Sequence, residues 1–81
     1  MTDDEHEAIP TVDARPVLAA GGEPLDAILS AAADVEPGAA FAVIAPFEPV
    51  PLVGLLGGQG FEADPRPLEG GDWRVVFRRA W

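Results

Sequence analysis

The chain has 81 residues, with 14 Asp and Glu against five Arg, no Lys and no Cys, and a formal charge of −9. That length sets one small domain with a modest core. The composition excludes disulfides, thiol nucleophiles and cysteine-based metal centres, and its acidity argues against a nucleic-acid partner, whose phosphates need a positive surface.

No apolar run reaches the roughly 18 residues of a membrane span. No basic-then-apolar leader precedes the domain, so a cytoplasmic location is the default expectation. Residues 1–8 hold Asp3, Asp4, Glu5 and Glu7 with almost nothing apolar, and read as a disordered acidic tail. A single domain then fills 9–81. His6 is the only imidazole. It sits inside that acidic run, where a loose metal site would bear the whole cost of ordering the tail, so no metal is expected there.

Residues 9–15 read as a first strand, with Ile9, Thr11 and Asp13 on one face and Val12 and Ala14 on the other. Pro10 lacks an N–H for the ladder and belongs at its start or on an edge. Residues 16–22 read as a loop closed by Gly21-Gly22. Residues 23–36 read as a helix. Pro24 suits its first turn, Glu23 and Asp26 complement its dipole, and Leu25, Ile28, Leu29 and Ala32 make one apolar stripe. Pro37-Gly38 stops it.

Residues 39–45 are apolar throughout and read as a second strand with both faces at least half covered. A strand, a helix and a strand of these lengths make a right-handed crossover with the strands parallel. Residues 48–59 read as a shorter helix, with Glu48 as its cap and Pro49 and Pro51 in its first turn. Leu52, Leu55 and Leu56 are its buried stripe. Gly54, Gly57 and Gly58 weaken it, so packing must hold it, and Gly60 suits a left-handed end.

Residues 61–68 read as a third strand, which Pro65 and Pro67 force to an edge or to an early finish. Glu69-Gly70-Gly71-Asp72 reads as a tight hairpin turn with positive φ at both glycines. Residues 73–79 read as the last strand, with Trp73, Val75 and Phe77 facing one way and Arg74, Val76 and Arg78 the other. The fold class is therefore α+β: a two-layer sandwich in the order β-α-β-α-β-β, with a four-stranded mixed sheet and two helices on one face.

Phe47-Glu48-Pro49-Val50-Pro51-Leu52, followed by Leu55-Leu56 and Gly60-Phe61, resembles the hallmark of a bacterial domain-of-unknown-function family in the TusA/SirA-like superfamily. Val12-Asp13-Ala14-Arg15, Glu23-Pro24-Leu25 and Gly71-Asp72-Trp73 resemble its first strand, first helix start and final hairpin. The resemblance runs from about residue 9 to residue 79. It implies a TusA-like fold. The related TusA-type proteins carry sulfur on the cysteine of a Cys-Pro-x-Pro motif. Matching Glu23-Pro24 to the end of that motif puts Gly21 at the cysteine's place and Gly22 at the first proline's. Persulfide chemistry needs a thiolate, and this chain has none.

Two helix starts are candidate binding places. Gly21 and Gly22 let a ligand or partner approach the backbone, beside Glu23 and Pro24. Glu48, Pro49 and Pro51 form the other. Both helices follow strands and begin at the same end of the sheet, so Asp13, Arg15, Glu23 and Glu48 are expected to converge. Ordinary capping and loop chemistry accounts for the same residues without any ligand, and Asp13 with Arg15 reads first as a structural pair on one strand face. Arg74, Val76 and Arg78, with Ala40, Ala42 and Ile44, would share the outer sheet face. That face is either a partner surface or a solvated one with arginine stems lying over it.

With carboxylates the only bases left in the folded part, no Ser-His-Asp arrangement can be built there. The reading is a small non-catalytic binding or protein-interaction module. It needs no cofactor or metal. Its partner would be a protein, a second copy or a small ligand. The alternative is an accessory subunit or carrier in sulfur or redox metabolism that acts through a partner's cysteine.

Overall fold

The computed structural model describes residues 9–81; the expected acidic tail lies outside them. Four strands form one mixed sheet in the order β1-β2-β4-β3. They are β1 (Thr11–Asp13), β2 (Ala40–Ala45), β3 (Phe61–Pro67) and β4 (Trp73–Arg79). β1 runs parallel to β2, and β4 lies antiparallel to both β2 and β3. The helices are α1 (Arg15–Ala19), α2 (Leu25–Ala33) and α3 (Val50–Gly57), with a 3-10 turn at Glu69–Gly71.

The two-layer α+β architecture matches the sequence reading, with one added element. Residues 16–22 are not all loop: α1 occupies most of the span, with a proline in its first turn. Five residues of helix with no buried member lack the apolar spacing that reveals a helix in sequence. β1 is also shorter than expected. Its ladder is extended at both ends by single hydrogen bonds, Ala42 N–H to the Pro10 carbonyl at 2.9 Å and Ala14 N–H to the Ile44 carbonyl at 2.8 Å. Arg15 therefore opens α1 and does not share a strand face with Asp13.

α2 and α3 are both trimmed to their hydrogen-bonded turns. Pro24 and Pro49 sit at the N-cap positions, and Pro51 lies in the first turn of α3. Neither cap position offers a side-chain bond, and Glu48 does not cap α3 as expected. Its backbone carbonyl instead accepts from Val50 N–H at 2.9 Å.

One face of the sheet packs against α2 and α3. Phe41, Val43, Val75 and Phe77 meet Ile28, Ala32, Val35 and Leu56, with Phe61 at the β3 edge. The Phe41 ring stacks on Phe77 at 5.4 Å and meets Phe61 edge-on at 5.8 Å. Such pairs add about 0.5–1.5 kcal/mol each beyond the area they bury. Leu56 is the one fully buried side chain of α3. It holds a short helix whose glycines give it little intrinsic stability.

β3 is an edge strand, as its two prolines require. The β3–β4 turn uses positive φ at both Gly70 (78°) and Gly71 (90°), the left-handed region that favours glycine. At the opposite end, Arg79 is held structurally: it donates to the Val35 carbonyl at 3.2 Å and the Trp81 carbonyl at 2.8 Å, and lies 5.9 Å from the Phe61 ring centre. Gly60 has φ 96° beneath Trp81.

Candidate functional site

The register fixes which loops meet. β1 and β2 are parallel, so the loops after them leave the sheet at the same end. β4 is antiparallel to β2 and begins there, and β3 ends there. The starts of α1, α2 and α3 and the Glu69–Asp72 turn thus gather at one end of the molecule.

A pocket of about 310 Å³ opens at this end. Its floor is buried: Ala14, Pro24, Ile28, Val43, Ala45 and Pro49. Its walls rise to half-buried Leu18, Leu25 and Leu52, and its rim is formed by exposed Phe47, Pro51, Leu55 and Glu23. Among the described residues Glu23 is the only charged or polar side chain lining it. The volume is at the lower end for a ligand site, and a mostly apolar lining with one placed polar group is the usual pattern of such sites. Phe47, with 52% of its surface exposed, and Leu55, with 43%, keep large apolar surfaces in water.

Local chemistry explains the lining. The buried prolines at the two N-caps bring ring carbons, and no N–H, to the pocket wall. The carboxylate of Glu23 turns back to its own helix, where Oε1 accepts from Leu25 N–H at 3.2 Å. It thereby satisfies one of the donors that a helix start leaves open.

The expected convergence of Asp13, Arg15, Glu23 and Glu48 divides in the structure. Glu23, Pro24, Pro49 and Pro51 line the pocket together. Asp13, Arg15, Gly21, Gly22 and Glu48 are not among its lining residues. Asp13 and Arg15 form a separate cluster with Asp72. Arg15 donates through Nε and Nη2 to both oxygens of Asp13, at 2.9 and 2.7 Å, and through Nη1 to Asp72 at 2.8 Å. Asp13 also accepts from the Arg15 backbone N–H at 3.1 Å. The Arg15 hydrogen bonds hold the Asp13 carboxyl below the usual carboxylate range. The same bonds, from Asp13 first and Asp72 second, push the guanidinium up. This cluster ties the end of β1 to the β3–β4 turn. Asp72 was not anticipated as its third member, because only the sheet order brings position 72 beside position 15.

The pocket's main apolar contributors also escaped the sequence reading as site residues. By spacing alone Leu25, Leu52 and Leu55 belong to buried helix stripes, and Leu18 to a loop. The available signal was Phe47, a large apolar residue just before a helix start with no core position to fill.

Arg74, Val76 and Arg78 lie on the sheet face away from α2 and α3, opposite Ile44, Ala42 and Ala40 of β2. On the other side they stand opposite Arg66, Asp64 and Glu62 of β3. Arg78 donates to the Gly38 carbonyl at 3.0 Å, and Arg66 pairs with Asp64 at 3.1 Å. Acidic residues thus interleave with the arginines. Among the described residues no group of three or more His, Asp or Glu is placed to hold a metal ion, and no helix is long and apolar enough to cross a membrane.

No curated protein and no solved structure matches the chain. The model of one family of conserved, uncharacterised proteins, DUF2249, matches residues 11–79, a stretch that takes in every strand and helix around the pocket, and the chain belongs to that family.

Proposed function

We propose that the protein is a non-catalytic binding module whose binding place is the pocket at the starts of α2 and α3. One observation carries this reading: an open pocket of about 310 Å³ lined, among the described residues, by apolar side chains and a single carboxylate. Catalysis by general acid and base needs positioned groups of matched pKa, and Glu23 alone supplies no such pair. An apolar cavity with exposed aromatic and leucine rim residues is suited to taking up apolar surface.

The test is a titration of the amide NMR spectrum with indole, a neutral probe of suitable size. Shifts concentrated at Leu18, Leu25, Phe47, Leu52 and Leu55 are expected, and Leu55→Asp should abolish them. Leu55 is partly exposed, so this change places a charge at the rim without emptying the core. Shifts scattered over the surface, or unaltered by Leu55→Asp, would refute the reading.

The chain is further read as TusA-like. The order of its elements and the Glu23-Pro24 helix start after the first loop support that placement. A role in sulfur or redox metabolism would then run through a partner's cysteine, since this chain has no thiol. At Gly21 an added Cβ would meet nothing within 4 Å, although the φ of 81° is costly for any side chain. A Gly21→Cys variant that accepts a persulfide from a sulfur donor would favour the carrier reading. A variant that stays unmodified would count against it.

A further inference from the structure

We infer that the occupant of this pocket is a segment of a partner protein in which an apolar side chain stands next to a Lys or Arg, the apolar group entering the pocket and the cation meeting Glu23. This rests on the binding-module reading and adds the chemistry of the partner.

A helix N-terminus ordinarily offers N–H groups to an anion. Here Pro24, Pro49 and Pro51 carry no N–H, that of Leu25 is taken by Glu23, and that of Val50 is taken by the Glu48 carbonyl. The charged side chain at the rim, among the described residues, is the Glu23 carboxylate, on a chain with formal charge −9. The pocket therefore repels anions and attracts cations. The nearby guanidinium of Arg15 is already engaged by Asp13 and Asp72, so it does not neutralise this field.

The pocket holds the volume of about ten waters, enough for one or two side chains. Val17 and Val50, next in the chain to the lining residues Leu18, Pro49 and Pro51, are also exposed, at 39% and 60%. A small amine would fill the pocket and leave that surface wet. A chain segment would cover it.

The experiment selects a random heptapeptide library, displayed on phage, against the immobilised full chain. The best peptide is then synthesised with Lys, Gln or Glu at its basic position. Selected peptides should place Leu, Phe or Trp beside Lys or Arg. The Lys form should bind on the order of fivefold more tightly than the Gln form, as an exposed ion pair allows, and the Glu form more weakly still. Glu23→Gln should close the gap between the Lys and Gln forms. Glu62→Gln, an equal change in net charge on β3, should leave it open.

No preference for the cation, or a preference lost equally in both variants, would overturn the proposal. So would a selection that enriches no peptide, or n-hexylammonium binding as tightly as the Lys peptide. Binding of the Gln form that resists Leu55→Asp would instead overturn the pocket reading beneath it. Sensitivity to Leu55→Asp without any cation preference would leave that reading standing and remove only the partner's charge.

Discussion

α3 forms one wall of the pocket, and its sequence contains a removable weakness. Gly54 is exposed in the interior of this eight-residue helix. Its φ is not positive, and an added Cβ would meet nothing within 4 Å. Gly54→Ala therefore has no steric cost to set against its gain. Glycine in a helix interior costs about 0.5–1 kcal/mol relative to alanine, chiefly through the freedom of the unfolded chain. For a domain of this size each kcal/mol moves Tm by about 4–8 °C. A rise of roughly 2–8 °C is expected in thermal melts followed by far-UV circular dichroism, with a matching rise in the urea midpoint at constant m. An unchanged or lower Tm would refute the reasoning, because it would mean that residue 54 is not helical or that its bare backbone makes a close contact.

Gly60→Ala should have the opposite sign. Its φ of 96° is unfavourable for alanine, and the new Cβ would lie 3.2 Å from the Trp81 ring, so a loss of about 1–2 kcal/mol is expected in the same urea assay. Leu56→Ala should cost about 2–5 kcal/mol, a large share of the roughly 4–12 kcal/mol expected for a domain of this length; full stability would show that α3 is held by something other than this side chain. Asp13→Asn should matter only where Asp13 is charged. Its folded pKa is lowered by Arg15, so its contribution is complete above the unfolded value near 4 and is lost as pH falls through the lowered one. The Tm difference between wild type and Asp13→Asn should be constant from about pH 7 to 5 and shrink as pH falls below about 4; a difference that grows as pH falls would contradict the pairing.

Much of the sheet was legible because its signals are local. Alternation placed Val75 and Phe77 inside and Arg74 and Arg78 outside. Pro65 and Pro67 sent β3 to an edge, and Gly70-Gly71 announced the turn. The parallel β1–β2 pair followed from the handedness of a strand-helix-strand unit. α1 was not legible, since five residues with no buried face carry no periodic signal.

The meeting of the two helix starts was legible, and the apolar pocket between them was not. That both helices begin at one end of the sheet follows from topology, and it brought Glu23, Pro24, Pro49 and Pro51 together. That the place would be an apolar pocket depends on loop paths which leave Phe47 and Leu55 at its rim. Likewise, Asp13-Ala14-Arg15 suggested a pair, whereas the bond from Arg15 to Asp72 spans 57 positions and exists only because β4 starts beside that end.

The most direct measurement is a set of intermolecular NOEs between bound indole and the methyl groups of the full chain. Contacts to Leu18, Leu25, Ile28, Leu52 and Leu55 are expected, and none to Val76 or Ile44 on the outer sheet face. Contacts to Val76 and Ile44 without those to Leu52 and Leu55 would contradict the pocket reading and move the binding place to the other side of the sheet.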